Sequence, residues 1–122
     1  MTRDKSLFAV ALHDAEEAVY AVNDANGWFD AERTVGDDLA LLHSEVSEML
    51  EAYRDGGLED QTAAHVGTYA LPKPEGFGSE AADVLVRLLD TCKRRGVDLA
   101  WEFERKLEYN KTRGYHHGGK TL

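Results

Sequence analysis

Apolar positions recur at helical spacing in four blocks of the 122-residue chain. In the first block Phe8, Ala11, Leu12, Ala15, Val19 and Val22 keep the three-to-four-residue period of a helix from Ser6 to Asn26, and Asn26-Gly27 is a stop signal. Trp28 and Phe29 fall in a short connection. The second block runs from Gly36 or Asp37 to Arg54, with Leu42, Val46, Met49 and Tyr53 in one apolar stripe, and Asp55-Gly56-Gly57 ends it. The pattern then lapses. From Gly56 to Gly78 the chain holds both prolines, Pro72 and Pro74, and reads as a long loop with a short helical turn near Leu58 to His65. Loops of that length in a compact domain are usually functional or mobile. Ser79 stands where it can cap a third helix that carries Ala81, Val84, Leu88 and Cys92 in its stripe and stops after Arg95 at Gly96. Asp98 caps a fourth, with Leu99, Phe103 and Leu107 on one side. No strand-like alternation persists. The expected fold is all-α: four main helices in a single domain over 1–122, closed by a glycine-rich basic tail over 114–122.

Composition narrows the class. At 43% hydrophobic and 30% charged residues the chain is an ordinary globular one, and no apolar run approaches the ~20 residues of a membrane span. The one cysteine, Cys92, excludes an internal disulfide and falls on an apolar stripe, so a buried thiol and a cytoplasmic address are expected. The formal net charge is −9, but Arg105, Lys106, Lys111, Arg113 and Lys120 make the end of the chain basic. An acidic body argues against nucleic acid as a partner, since phosphate backbones demand broad basic surface. No membrane partner is expected either.

Two acidic pairs carry the chemistry. Glu45 and Glu48 lie in LLHSEVSEMLEAYR, and Glu80 and Asp83 in GSEAADVLVRLLD. A gap of three puts both members of a pair on one helical face, and each pair borders its helix's apolar stripe. Acids at this spacing are common on solvated helix faces. Two pairs in the same relation to two stripes are better explained by a shared cation, because four carboxylates leaning toward one core repel each other unless neutralised. Oxygen-only ligands favour a hard ion, Mg²⁺ or else Mn²⁺, over zinc.

Lys106, Asn110 and Arg113 share one face of the fourth helix, apolar in its first turns and polar in its last. Lysine and arginine suit any helix C-terminus. Beside an acidic metal site, phosphate anchoring is the fuller account, with Lys120 and the backbone around His116, His117, Gly118 and Gly119 closing over it. Trp28, outside the regular stripe, is placed either in the core or stacked on a base.

These segments, together with KLEYNKTRGYHHGGK, resemble the MazG-like all-α nucleotide pyrophosphohydrolases over about Asn26 to Leu122. The resemblance implies a helical bundle completed by dimerisation, as a homodimer or homotetramer, a thin core pointing the same way. It implies Mg²⁺ on Glu45, Glu48, Glu80 and Asp83, and hydrolysis of a nucleoside triphosphate to monophosphate and pyrophosphate. It places Lys106, Asn110 and Arg113 near the phosphates. One of the four acids, with Glu48 the candidate, is expected to orient or deprotonate the water instead of binding metal. The alternatives are a phosphoribosyl-ATP pyrophosphohydrolase-like enzyme and a non-enzymatic nucleotide-sensing or adaptor module. The stretch between Glu48 and Glu80 is longer than is usual between these motifs.

Overall fold

A computed structural model describes residues 5–63 and 71–114. Four helices form among them: α1 (Leu7–Ala25), α2 (Val35–Gly56), α3 (Phe77–Arg94) and α4 (Leu99–Thr112). Local chemistry explains most of the ends. Ser6 accepts a hydrogen bond from the Ala9 amide at the start of α1. Thr34 and Asp37 cap α2 reciprocally, each side chain accepting the other's backbone N–H at 3.1 and 2.9 Å. Asp98 accepts from the Trp101 amide and opens α4.

Helix α3 starts differently from expectation. It begins three residues early, after Gly76, and no side chain caps it; the Ser79 hydroxyl donates to the Pro74 carbonyl instead. Gly76 has φ +116°, and a Cβ there would lie 2.8 Å from the Glu59 carbonyl. That close approach closes the base of the long loop: Asp60 bridges Gly76, and the Gln61 amide donates to the Glu75 carbonyl. The turn of helix expected from Leu58 is therefore absent over its described part, because 58–63 fold back against the start of α3. Gln61 Nε2 also donates to the Ala52 carbonyl, holding this arm on α2. His65 lies outside the described residues.

Side-chain pairs give the packing. Asp38 meets Arg94, Glu45 meets Arg87, and Glu48 lies beside Glu80, so α2 and α3 run antiparallel. Glu17 meets Lys93 and Asn23 lies near Arg87, so α1 runs antiparallel to α3 on its other side. Ser6 donates to Glu104 and Phe8 stacks on Phe103 at 4.8 Å, joining α4 to α1. Helix α3 is thus the central element.

The apolar core is thin. Among the described residues its buried members are Ala9, Ala52, Leu89, Cys92 and Ala100, whereas Glu16, Asp38, Glu45 and Asp90 are buried charges. The stripe expected to face the core on α2 is displaced. Val46 and Tyr53 are 50% and 55% exposed, Leu42 and Met49 are half-buried, and the deepest positions are Asp38, Glu45 and Ala52, seven apart and hence on one face. On α3 the stripe is nearer expectation: Cys92 is buried, Ala81, Val84 and Leu88 are half-buried, but Leu89 and Asp90 are the deepest positions. No helix among the described residues is long and apolar enough to cross a membrane.

Candidate metal centre

Helices α2 and α3 bring three of the four predicted acids together. Glu45, Glu48 and Glu80 each offer a carboxylate oxygen, all within 4.8 Å of one another. The antiparallel register produces this, setting the middle of α2 against the first turns of α3. Glu45 is the innermost, with a side chain 10% exposed. Its Oε1 accepts from Arg87 Nε at 3.1 Å, while its Oε2 is buried without a hydrogen-bond partner. Glu80 Oε2 is likewise buried and unpartnered. Glu48 is exposed, and the carboxylates beside it, Glu45 first and then Glu80, raise its carboxyl above its ordinary value. The same repulsion disfavours the charged form of Glu48, and the ion pair of Arg87 with Glu45 offsets part of it.

A divalent cation fits this arrangement. Buried carboxylate oxygens without partners are costly, and an all-oxygen donor set suits a hard ion such as Mg²⁺ or Mn²⁺. Asp83, the fourth predicted ligand, does not join the three glutamates. It is exposed and, with Asn23, Trp28, Glu45, Val86 and Arg87, lines an adjoining cavity of about 210 Å³. The three-residue step from Glu80 turns Asp83 toward that cavity and α1 rather than into the cluster.

Trp28 is half-buried at this cavity, with the guanidinium carbons of Arg33 and Arg87 each 4.1 Å from its ring centroid. Its ring therefore stacks on guanidinium groups within the chain. Phe29 is elsewhere: it packs on Tyr20 at 4.9 Å and borders a second, open cleft with Lys93, Arg94 and Arg95. Among the described residues, the three glutamates gather without any residue of α4 in their group. Lys106 and Asn110 are exposed, Arg113 lies 5.8 Å from the Tyr109 ring, and the cavities and ion pairs described at the glutamates include none of the three. Lys120, His116 and His117 lie outside the described residues.

Sequence reasoning missed two groups. Arg87 is the first, although it had a signal: Glu80, Asp83 and Arg87 are spaced i, i+3, i+7 and so share a face. Asp38 is the second, 3% exposed and contacted by Arg33 Nε at 3.2 Å and by Arg94 and Arg95 at 2.9 Å each. Burial pushes its carboxyl up, but the hydrogen bonds from Arg95, Arg94 and Arg33 outweigh that and hold it below the ordinary value. This knot ties the first turn of α2 and the 28–33 connection to the end of α3. It fixes Arg33, and through Arg33 it supports Trp28 at the cavity wall. Cys92 is buried, and burial followed by the charge of Glu16 raises its thiol, which keeps it protonated and inert.

Comparison with protein-family models, with curated proteins and with solved structures gave no match to this chain.

Proposed function

We propose that this chain is a divalent-cation-dependent nucleotide pyrophosphohydrolase of the MazG-like kind, cleaving nucleoside triphosphates to monophosphate and pyrophosphate. One observation carries the reading: three glutamates from two antiparallel helices converge within 4.8 Å, and two of them keep a buried oxygen without a partner. A polyphosphate is repelled by bare carboxylates. A hard cation held by them inverts that repulsion, polarises the phosphoryl group and activates water, and that is the chemistry the ion supplies when bound. Glu45 and Glu80 are the natural ligands, being inward and unsatisfied. Glu48, exposed and with a raised carboxyl, suits a ligand at the rim or the group that takes a proton from water. Asp83 faces the cavity in which the substrate's phosphates would approach.

A second copy could bring the basic face of a neighbouring α4 to such a site. The exposed apolar face of α2, with Leu39, Val46, Leu50 and Tyr53, supports that assembly, a homodimer or homotetramer, because so much apolar surface at the carboxylate helix is unstable in water. A cytoplasmic setting agrees with the single buried thiol.

Pyrophosphate release from a panel of canonical, deoxy and modified nucleoside triphosphates, with Mg²⁺, Mn²⁺ and chelator, tests the reading. Release that requires a divalent ion and vanishes in chelator is expected. Binding of nucleotide with no release under any condition would favour the non-enzymatic sensing module, and turnover confined to phosphoribosyl-ATP would favour the histidine-pathway type of enzyme.

A further inference from the structure

Arg87 holds an unusual position for a residue beside three acids. Its Nε donates to Glu45 Oε1 at 3.1 Å, and its Cζ lies 4.1 Å from the Trp28 centroid. The side chain is 26% exposed and borders the same cavity as Asp83. Glu45 is therefore engaged on one oxygen by a cation of the chain itself, while its other oxygen is buried and unsatisfied beside Glu48 and Glu80. A divalent ion that draws Glu45 into its coordination shell competes directly with this ion pair. It would also place two positive groups on one carboxylate, which disfavours keeping both.

We infer that Arg87 is an internal counter-ion that exchanges with the divalent cation. Without the ion it neutralises Glu45 and spares the cluster the full repulsion of its acids. When the ion binds, the guanidinium lets go of Glu45 while keeping its stack on Trp28, which acts as the pivot. It then stands at the cavity wall with its donors free, where an anion accompanying the cation can accept them. The same movement links cation binding to anion affinity, so the site becomes attractive to phosphate only once it is loaded. This rests on the cation site proposed for the three glutamates.

The test is a calorimetric titration of Mn²⁺ into wild type and Arg87→Met, with no nucleotide present. Methionine keeps an apolar contact with Trp28 and removes the charge. The variant is expected to bind Mn²⁺ about fivefold more tightly, the factor that ~1 kcal/mol of lost competition corresponds to. A second readout uses Trp101→Phe, which leaves Trp28 as the one tryptophan: Mg²⁺ should shift its emission when Arg87 is present and not when Arg87→Met is added. Inorganic pyrophosphate, titrated onto the Mg²⁺-loaded proteins, should bind the variant more weakly than wild type. Unchanged or weaker Mn²⁺ binding in the variant overturns the exchange and leaves the cation site standing, since Arg87 would then merely hold Glu45 in place. No Mn²⁺ binding by either protein removes the cation site and the exchange with it. Should Arg87→Met fail to fold by circular dichroism, Arg87→Gln, which keeps a hydrogen bond to Glu45 without charge, carries the same titration.

Discussion

Asp38 and Glu48 are carboxylates displaced in opposite directions, and each sign has a consequence that can be measured. Asp38 is held below its ordinary value of 3.8 by its arginines. Its stabilising effect is complete above that value and is lost as pH falls through the lower, folded-state value. Asp38→Asn should cost about 3–5 kcal/mol near neutral pH, because Arg33 and Arg95 lose the buried charge they meet and Arg94 is left with Asp90 alone. Its stability should also lack the wild type's steep acid limb, which denaturant titrations from about pH 7 down to about pH 3 would reveal. Glu48 has the reverse sign. Its folded-state value is raised by Glu45 and Glu80, so in the absence of a cation the fold gains stability as pH falls through that value and loses it above. A divalent ion at this cluster would need Glu48 charged, so its affinity should increase as pH rises through the raised Glu48 value. Removing charge at the two positions therefore has opposite effects without metal. Glu48→Gln should raise the melting temperature by relieving repulsion. Glu45→Gln should lower it, because Arg87 loses a charge-assisted hydrogen bond worth about 1.5–3 kcal/mol. Melting curves that move the same way in both variants would sink this account of the cluster.

Helix α2 presents two different faces. One, with Asp38, Glu45 and Ala52, is buried against α3; the other, with Leu39, Val46, Leu50 and Tyr53, is exposed and apolar. At about 100° per residue Val46, Leu50 and Tyr53 lie roughly a quarter-turn or more away from Glu45, so α3 cannot cover both. If a second copy covers the apolar face, Leu50→Glu should convert the assembly to monomer in sedimentation experiments while the helices remain. A wild type that stays monomeric at high concentration would contradict it. Helix α4 belongs to the same question. Its Lys106, Asn110 and Arg113 are absent from the contacts described at the glutamates of their own chain. If a neighbour's α4 supplies them, Arg113→Ala should slow hydrolysis of every triphosphate by a similar factor, about tenfold to a hundredfold for a charge-assisted contact of 1.5–3 kcal/mol. A changed order of preference among bases would place Arg113 at the base instead.

At the scale of the molecule, a thin core and a charged centre go together. Among the described residues the buried side chains other than Leu89 are small or charged, and ion pairs join α3 to both α1 and α2. Such a body would be stabilised by whatever neutralises and covers it, which under the proposed function is a cation at the glutamates and a second copy on α2. Added Mg²⁺ should therefore raise the melting temperature of wild type, and chelator should reverse it. Glu80→Gln should abolish that shift and lower turnover at least about tenfold, as expected for the loss of a cation ligand or its close support. Asp83→Asn should lower turnover with a smaller effect on the Mg²⁺-induced shift, because Asp83 faces the cavity and not the cluster. An equal loss of the shift in both variants would return Asp83 to the ligand set.

The order of four helices, most of their ends and the pairing of acids on single faces are determined by sequence alone, since capping and helical period are local properties. Ser6, Thr34 with Asp37, and Asp98 act within a turn of their own positions. Which face of α2 turns inward was decided only by tertiary structure. Leu42, Val46, Met49 and Tyr53 form the more apolar stripe, and hydropathy assigns that stripe to the core. The face with Asp38 and Glu45 goes inside instead because α3 carries Arg94 and Arg87 at matching heights to neutralise it. That match depends on the register of two helices separated by a long loop, and no local pattern encodes it. The same register explains why Glu80 meets Glu45 and Glu48 while Asp83, one short step along α3, looks into the cavity beside Trp28.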